Sequence, residues 1–141
     1  MVEDVFEQNP DLNYLKNVKV HFLPLPKIRM LFGGYIIPID RIFLAGDTYE
    51  PALIYALSHE YDHADYRKKN GILKTVYNMV FHRFEKIEDR AVRRGLFTLK
   101  KLSDSKPQIT DFFETIRRYK ICRNPIKRLA YKLYFQNLLE K

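Results

Sequence analysis

The sequence predicts an α+β domain in which a small, mostly antiparallel sheet packs on a histidine-bearing helix and a glutamate-bearing helix, with a helical C-terminal subdomain. Alternating and β-branched residues are concentrated before residue 45, whereas helical periodicity governs almost everything after residue 50. A chain of 141 residues suits one core, because single cores commonly occupy about 100–200 residues. We therefore predict a single domain, with its core at 1–102 and a basic helical C-terminal extension at 103–141.

The composition excludes several classes of protein. A hydrophobic content of 46%, with ten Phe and ten Tyr, is too high for a disordered chain. No run approaches the roughly 18–20 apolar residues that cross a bilayer, and the acidic N-terminus is unlike a signal peptide. The single cysteine, Cys122, precludes an internal disulfide. These features predict a soluble, cytoplasmic protein without a membrane span.

The strand patterns lie in the N-terminal third of the chain. A weakly helical start, with Asn9 as an N-cap, precedes the alternating segment 18–23 and the apolar runs 27–32 and 35–44. The two glycines between those runs predict a hairpin turn, because glycine adopts positive φ at little cost. We expect two to four strands, with 35–44 as an exposed edge strand that a peptide backbone could join.

Helices are predicted throughout the rest of the chain. Asp47 and Glu50 have capping-box spacing at the start of the first helix, which continues to about residue 69 and stops at Asn70-Gly71. Asn124, which is followed by a proline, predicts the start of the last helix. The remaining predicted helices cover 72–102, 107–120 and 125–139.

The first of these helices contains the pattern His-Glu-x-x-His. Residues four apart share one face of a helix, so His59 and His63 can direct imidazole nitrogens at one metal ion. Glu60 lies about 100° round the helix from His59, beside such a metal rather than on it, where its carboxylate can accept a proton from a metal-bound water. Chance would produce this pattern less than about once in a hundred such sequences. The motif therefore predicts a hydrolytic metal site, with zinc as the metal.

A third protein ligand is expected, because hydrolytic zinc usually has three and keeps one position open. Tyr66 and Lys69 occupy the slots that a metzincin would fill with glycine and histidine, which excludes that class. In the next helix Glu85 and Asp89 lie four apart on one face, so one can bind the metal while the other orients a ligand histidine. His82 shares that face and stays open as an alternative ligand or as a donor to a transition-state oxyanion.

The combination of His-Glu-x-x-His with a downstream Glu-x-x-x-Asp resembles the gluzincin metallopeptidases over roughly residues 50–95. The resemblance implies that His59, His63 and Glu85 bind zinc. It also implies that Glu60 is the general base and acid and that Asp89 holds a ligand histidine. In size the chain is similar to the soluble minigluzincins, which are latent enzymes, so the resemblance implies a C-terminal segment that restricts the cleft. The implied function is zinc-dependent hydrolysis of a peptide or protein substrate.

Charge is distributed unequally along the chain. Residues 1–89 have 11 Lys/Arg and 13 Asp/Glu, a net −2, whereas residues 90–141 have 14 and 4, a net +10. We expect the basic part to face the acidic side chains of Asp62, Asp65 and Glu88. Such a basic region is also typical of proteins that bind nucleic acid, although solvated helix faces give the same pattern. A nucleic-acid-binding or assembly protein with a structural or degenerate metal site is the alternative interpretation, and the oligomeric state stays open.

Overall fold

A computed structural model describes residues 1–23, 33–45, 50–82 and 84–121. It contains helices and one small sheet, which confirms the prediction that the chain has both helices and strands. Across these ranges, the model contains no helix with the length and apolar character that a bilayer crossing requires. The elements in chain order are α1 (Val2–Gln8), a 3-10 helix (Pro10–Leu15), β1 (Lys19–Leu23), β2 (Gly33–Ile36), β3 (Arg41–Ala45), α2 (Glu50–Asn70), α3 (Ile72–Tyr77), a π-helical turn (Asn78–His82), α4 (Phe84–Ser103) and α5 (Pro107–Ile121).

The sheet is mixed rather than mostly antiparallel. Its strand order is β1-β3-β2, with β1 parallel to β3 and β2 antiparallel to β3. Val20 lies opposite Ile42 in the parallel pair, and Tyr35 lies opposite the same residue in the antiparallel pair. The prediction of a mostly antiparallel sheet is wrong in this respect, because alternation identifies a strand but not the direction of its partner.

The predicted edge strand 35–44 is in fact a hairpin. Its turn covers residues 37–40, where Asp40 has a φ of 53°. Gly33 and Gly34 lie within β2 and pair with β3, so the predicted turn at the glycines is wrong. Proline early in a turn and aspartate at positive φ are both favoured turn residues, and here they determine where the chain reverses. Among the described strands, only the β2 part of this segment lies at an edge.

The helix boundaries agree closely with the sequence pattern, apart from one interruption. The helix α2 ends at Asn70, and Gly71 follows it with a φ of 81°, a conformation that favours glycine. The predicted continuous helix 72–102 is instead divided by the π-helical turn at 78–82. The helix predicted at 125–139, its Asn124 cap, Cys122, the Asp47 cap and the apolar run 27–32 lie outside the described residues.

The side chain of Asn9 connects the N-terminal segment to α4. Its side-chain amide donates to the Val5 carbonyl at 2.8 Å and to Thr98 Oγ1 at 2.8 Å. Asn9 does occupy the predicted N-cap position, with proline directly after it, but its side chain makes no cap hydrogen bond there and the helix that follows is a 3-10 helix. Asn9 is buried, and a buried amide must find partners for its polar atoms, which these tertiary contacts provide.

Buried ion pairs fix the position of α4 on α2. Asp62 is 1% exposed and lies 3.1 Å from Arg94 Nε and 3.3 Å from Arg90 Nε. Asp65, equally buried, accepts hydrogen bonds from Arg90 and Tyr14. The expectation that the basic part of the chain faces these two carboxylates is therefore confirmed, but the arginines that pair with them belong to α4 and not to the segment after residue 102.

Part of the predicted C-terminal extension belongs to the core. The helix α5 packs against α4 and α2 and buries Ile109 and Phe112 in the same cluster as Leu99. Residues 107–121 therefore contribute to the main core. The hypothesis that the C-terminal segment restricts a cleft now rests on residues 122–141 and stays a prediction.

Gly95 marks a close approach of α2 and α4. A Cβ added to Gly95 would lie 2.6 Å from Cδ2 and Cε2 of Tyr55, whose side chain is buried. Contacts this short require the ring or a helix to move. The missing side chain at Gly95 is therefore what allows Tyr55 to pack between the two helices.

We expect Gly95→Ala to lower the free energy of unfolding by about 1–3 kcal/mol through this clash. Alanine has the higher helix propensity, by about 1 kcal/mol, so a loss of stability would come from packing and not from the helix itself. Chemical denaturation measures the change. Gly34→Ala is the control, because a Cβ there meets nothing within 4 Å. A Gly95→Ala variant as stable as the parent would contradict the close approach.

Candidate metal centre

The helix α2 places both histidines of the His-Glu-x-x-His pattern in the interior. It packs against the sheet, α1, the 3-10 helix and α4, and its residues from Pro51 to Asp65 are all buried. His59 and His63 are 8% and 9% exposed, and their Nε2 atoms lie 3.2 Å apart. The i, i+4 spacing thus brings two imidazole nitrogens to one point, as predicted from the sequence.

Glu88 of α4 supplies the third donor at this point. Its Oε1 lies 2.9 Å from His59 Nε2, and its Oε2 lies 3.2 Å from His63 Nε2. The three ligand atoms all lie within 4.8 Å of one another and could hold a metal ion. The donors of a tetrahedral zinc ion with bonds of about 2.0–2.1 Å are separated by about 3.3 Å. The observed separations therefore fit a metal of this size and donor preference.

Glu88, not Glu85, is the carboxylate that the structure brings to the histidines. Glu85 is exposed and is not part of the three-donor group. Asp89 is exposed as well. In the described part of the chain neither His59 Nδ1 nor His63 Nδ1 has a hydrogen-bond partner, so Asp89 does not orient a ligand histidine in this structure. The structure thus brings neither Glu85 nor Asp89 to the two histidines, and the ligand and orienting roles predicted for them are not observed.

The reason lies in the rotation of α4 about its axis. At 100° per residue, Glu88 lies roughly 45° from the mean direction of the buried residues of α4, whereas Glu85 and Asp89 lie roughly 105° and 145° from it. The buried stripe itself was visible in the sequence and would have favoured Glu88. Its members are Ile87, Ala91, Gly95, Thr98, Leu99 and Leu102.

Residues of α4 cannot be assigned to a helix face by counting along an α-helix from His63, because a π-helical turn lies between them. A π turn contains one more residue than an α turn, so α-helical spacing does not hold across residues 78–82. His82 is the last residue of this turn. Its side chain lies outside the described part, so its role as an alternative ligand or oxyanion donor stays a prediction.

Glu60 lines the same cavity as the three donors. The cavity has a volume of about 250 Å³ and is bounded by α2, β2, the turn after β2, α3, the π-helical turn and α4. Burial raises the pKa of Glu60, and the charge of Glu88 adds to this, while His59, His63 and the backbone amide of Tyr35 act in the opposite direction. Glu60 thus lines the same cavity as the three possible metal donors and is not itself one of them.

The charges of the centre are mutually compensating. Hydrogen bonds from His59 and His63 hold the pKa of Glu88 far below its usual range, although burial opposes this. Burial alone would lower the pKa of His63, but the hydrogen bond to Glu88 and the charges of Glu60 and Glu88 raise it overall. The acidic groups thus favour a cation at this point, whether a proton or a metal ion.

Tyr66 also lines the cavity, together with Thr75 and Met79. Its hydroxyl oxygen accepts a hydrogen bond from Asn78 Nδ2 at 2.8 Å. A phenol that accepts in this way keeps its own hydrogen for another partner. Tyr66 is not among the site residues predicted from the sequence, although it lies three residues after His63 and therefore near the same face of α2.

Comparison of the chain with protein-family models, with curated proteins and with solved structures gives no significant match. Any functional assignment therefore rests on the side chains of the centre itself.

Proposed function

We propose that the chain is a zinc-dependent peptidase of the gluzincin type, with His59, His63 and Glu88 as the metal ligands. The observation that carries this proposal is the placement of Glu60 in the same cavity as the three donors. Two imidazoles and one carboxylate form the donor set of several hydrolytic zinc sites, in which a fourth position stays open for water or substrate. A purely structural site would not require a buried carboxylate beside that position.

Different residues of the chain have different roles in the proposed reaction. Zinc at this centre would lower the pKa of a bound water from 15.7 toward about 7 and polarise the scissile carbonyl. Glu60 accepts the proton of the attacking water and later delivers it to the leaving amine. Tyr66, held by Asn78, donates its hydroxyl hydrogen to the carbonyl oxygen of the substrate as negative charge develops there. The peptide lies extended along β2, the strand at the edge of the described sheet next to Glu60.

The nucleic-acid interpretation is less well supported by the contacts of the basic residues. Arg90 and Arg94 are both engaged with carboxylates of the same domain, Asp62 in particular. Side chains paired in this way are less able to neutralise phosphates. Salt distinguishes the two functions, since binding through phosphates weakens by orders of magnitude between about 50 and 200 mM salt.

The experiment is a peptide-library cleavage assay on the purified, zinc-loaded chain, repeated after chelation and after zinc is restored. We expect cleavage that chelation abolishes, that stoichiometric zinc restores, and that persists at 200 mM salt. Metal analysis of the same samples provides the control, because it shows whether activity follows zinc occupancy. A fully zinc-loaded, folded chain that cleaves no peptide in the library would contradict the proposed function.

A further inference from the structure

We infer that Asp40 is a positioning residue for Glu60: it holds the β2–β3 hairpin on α2 so that the backbone amide of Tyr35 stays in contact with the Glu60 carboxylate. The catalytic part of this inference rests on the proposed function. The structural part does not, and it can be tested without any activity.

The hairpin is attached to α2 through one carboxylate. Asp40 Oδ1 accepts a hydrogen bond of 2.5 Å from the Tyr35 hydroxyl. Asp40 Oδ2 accepts one of 2.6 Å from Lys68 Nζ and lies 3.6 Å from a terminal nitrogen of Arg67. Lys68 and Arg67 belong to the last turns of α2. We call these four residues, Tyr35, Asp40, Arg67 and Lys68, the hairpin anchor.

The turn itself accommodates the conformation of Asp40. Its φ of 53° lies in a region that aspartate adopts more readily than most residues. The side-chain carboxylate, and not the backbone, therefore provides the attachment to α2. Although burial raises the pKa of Asp40, hydrogen bonds from Lys68 and Tyr35 lower it overall, so the side chain is ionised and able to hold both partners at neutral pH.

Tyr35 transmits this attachment to the metal centre. Its side chain ends at Asp40, while its backbone amide donates a hydrogen bond to the carboxylate of Glu60. Tyr35, its neighbour Gly34 and Ile37 also line the cavity. One residue is therefore fixed at the hairpin anchor by its phenol and touches the candidate general base with its backbone. Movement of the hairpin away from α2 would withdraw the donor from Glu60 and widen the cavity.

The structural test is hydrogen exchange of the Tyr35 amide, measured by NMR on the zinc-loaded chain. In the parent protein this amide should be protected by Glu60. We expect Asp40→Asn, Tyr35→Phe and Glu60→Ala each to accelerate its exchange by about 10- to 100-fold, the loss expected for a hydrogen bond to a charged group. Asparagine tolerates positive φ, so Asp40→Asn removes the charge without straining the turn.

Asp11→Asn is the matched control. Asp11 also pairs with an arginine, Arg94, at 2.9 Å, but it belongs to the 3-10 helix and does not line the cavity. Its replacement should leave Tyr35 exchange within about threefold of the parent. The amides of Ile42 and Leu44 in β3 report whether any variant simply loosens the whole sheet.

The kinetic test separates positioning from folding. Asp40→Asn and Tyr35→Phe should each lower kcat by about 10- to 100-fold with KM and zinc content little changed, because they displace a catalytic group without removing it. The double variant should lose no more than the more affected single variant, since both changes weaken the same attachment of Tyr35 to α2.

Unchanged Tyr35 exchange in Asp40→Asn and Tyr35→Phe would overturn the inference, whether or not the chain cleaves peptides. Normal kcat in both variants, with an inactive Glu60→Gln, would overturn it while leaving the proposed function intact. If instead the exchange responds as expected but the zinc-loaded parent is inactive, the proposed function fails and the attachment of the hairpin to Glu60 is supported.

Discussion

Replacing Glu60 with glutamine should lower peptide hydrolysis by about 10²- to 10⁴-fold while leaving zinc bound. Glutamine keeps the shape of the side chain and an oxygen that can accept the Tyr35 amide, but it cannot accept a proton from water. Because Glu60 is not one of the three clustered donors, the metal should remain. The loss should therefore appear in kcat, measured by cleavage of a fluorogenic peptide taken from the library assay.

Zinc content and folding of this variant must be measured alongside its kinetics. Glu3→Gln is a suitable control. Glu3 is an exposed residue of α1 that pairs with the N-terminal amine and does not line the cavity. It should retain the parent kcat. A Glu60→Gln variant that is zinc-loaded and as active as the parent would show that another group accepts the proton.

Replacing Glu88 with glutamine should weaken zinc binding by more than about 100-fold, beyond the 10- to 100-fold typical of residues outside the donor set. The change removes one of three protein donors and leaves the two histidines unassisted. Replacing His59 or His63 with alanine should have at least as large an effect. Competition with a chromophoric chelator at fixed pH measures the affinities, and the pH must be fixed because protons compete for the same imidazoles.

Glu85→Gln and Asp89→Asn are the matched controls for Glu88→Gln, because all three residues lie within one turn of α4. Both control positions are exposed, so we expect their zinc affinities to equal that of the parent. A strong effect of Glu85→Gln together with none for Glu88→Gln would restore the ligand set implied by the resemblance. Loss of zinc on replacing His82 alone would transfer the third-ligand role to that histidine.

The sequence was sufficient for the features that depend on local spacing. The helix α2 follows from its apolar pattern and from the stop at Asn70-Gly71, and the convergence of His59 and His63 follows from the helical repeat. The placement of Glu60 beside these histidines follows from the same repeat. These predictions succeeded because each depends on residues within one or two turns of a single helix.

The features that failed depend on how separate elements meet. The parallel pairing of β1 with β3 joins segments about twenty residues apart, and alternation contains no information about strand direction. The third ligand depends on which face of α4 meets α2; the spacing of Glu85 and Asp89 did not identify that face, whereas the buried stripe of α4 does. Asn9 has the predicted N-cap position, but its side chain bonds to Val5 and Thr98 and not to the helix that it precedes.

The most direct test of the central claim is a crystal structure of the zinc-loaded chain with diffraction measured on both sides of the zinc absorption edge. The claim predicts one anomalous peak within about 2.0–2.2 Å of His59 Nε2, His63 Nε2 and a carboxylate oxygen of Glu88. A peak bound to Glu85 or His82 in place of Glu88, or no peak at these histidines in a fully loaded sample, would contradict it.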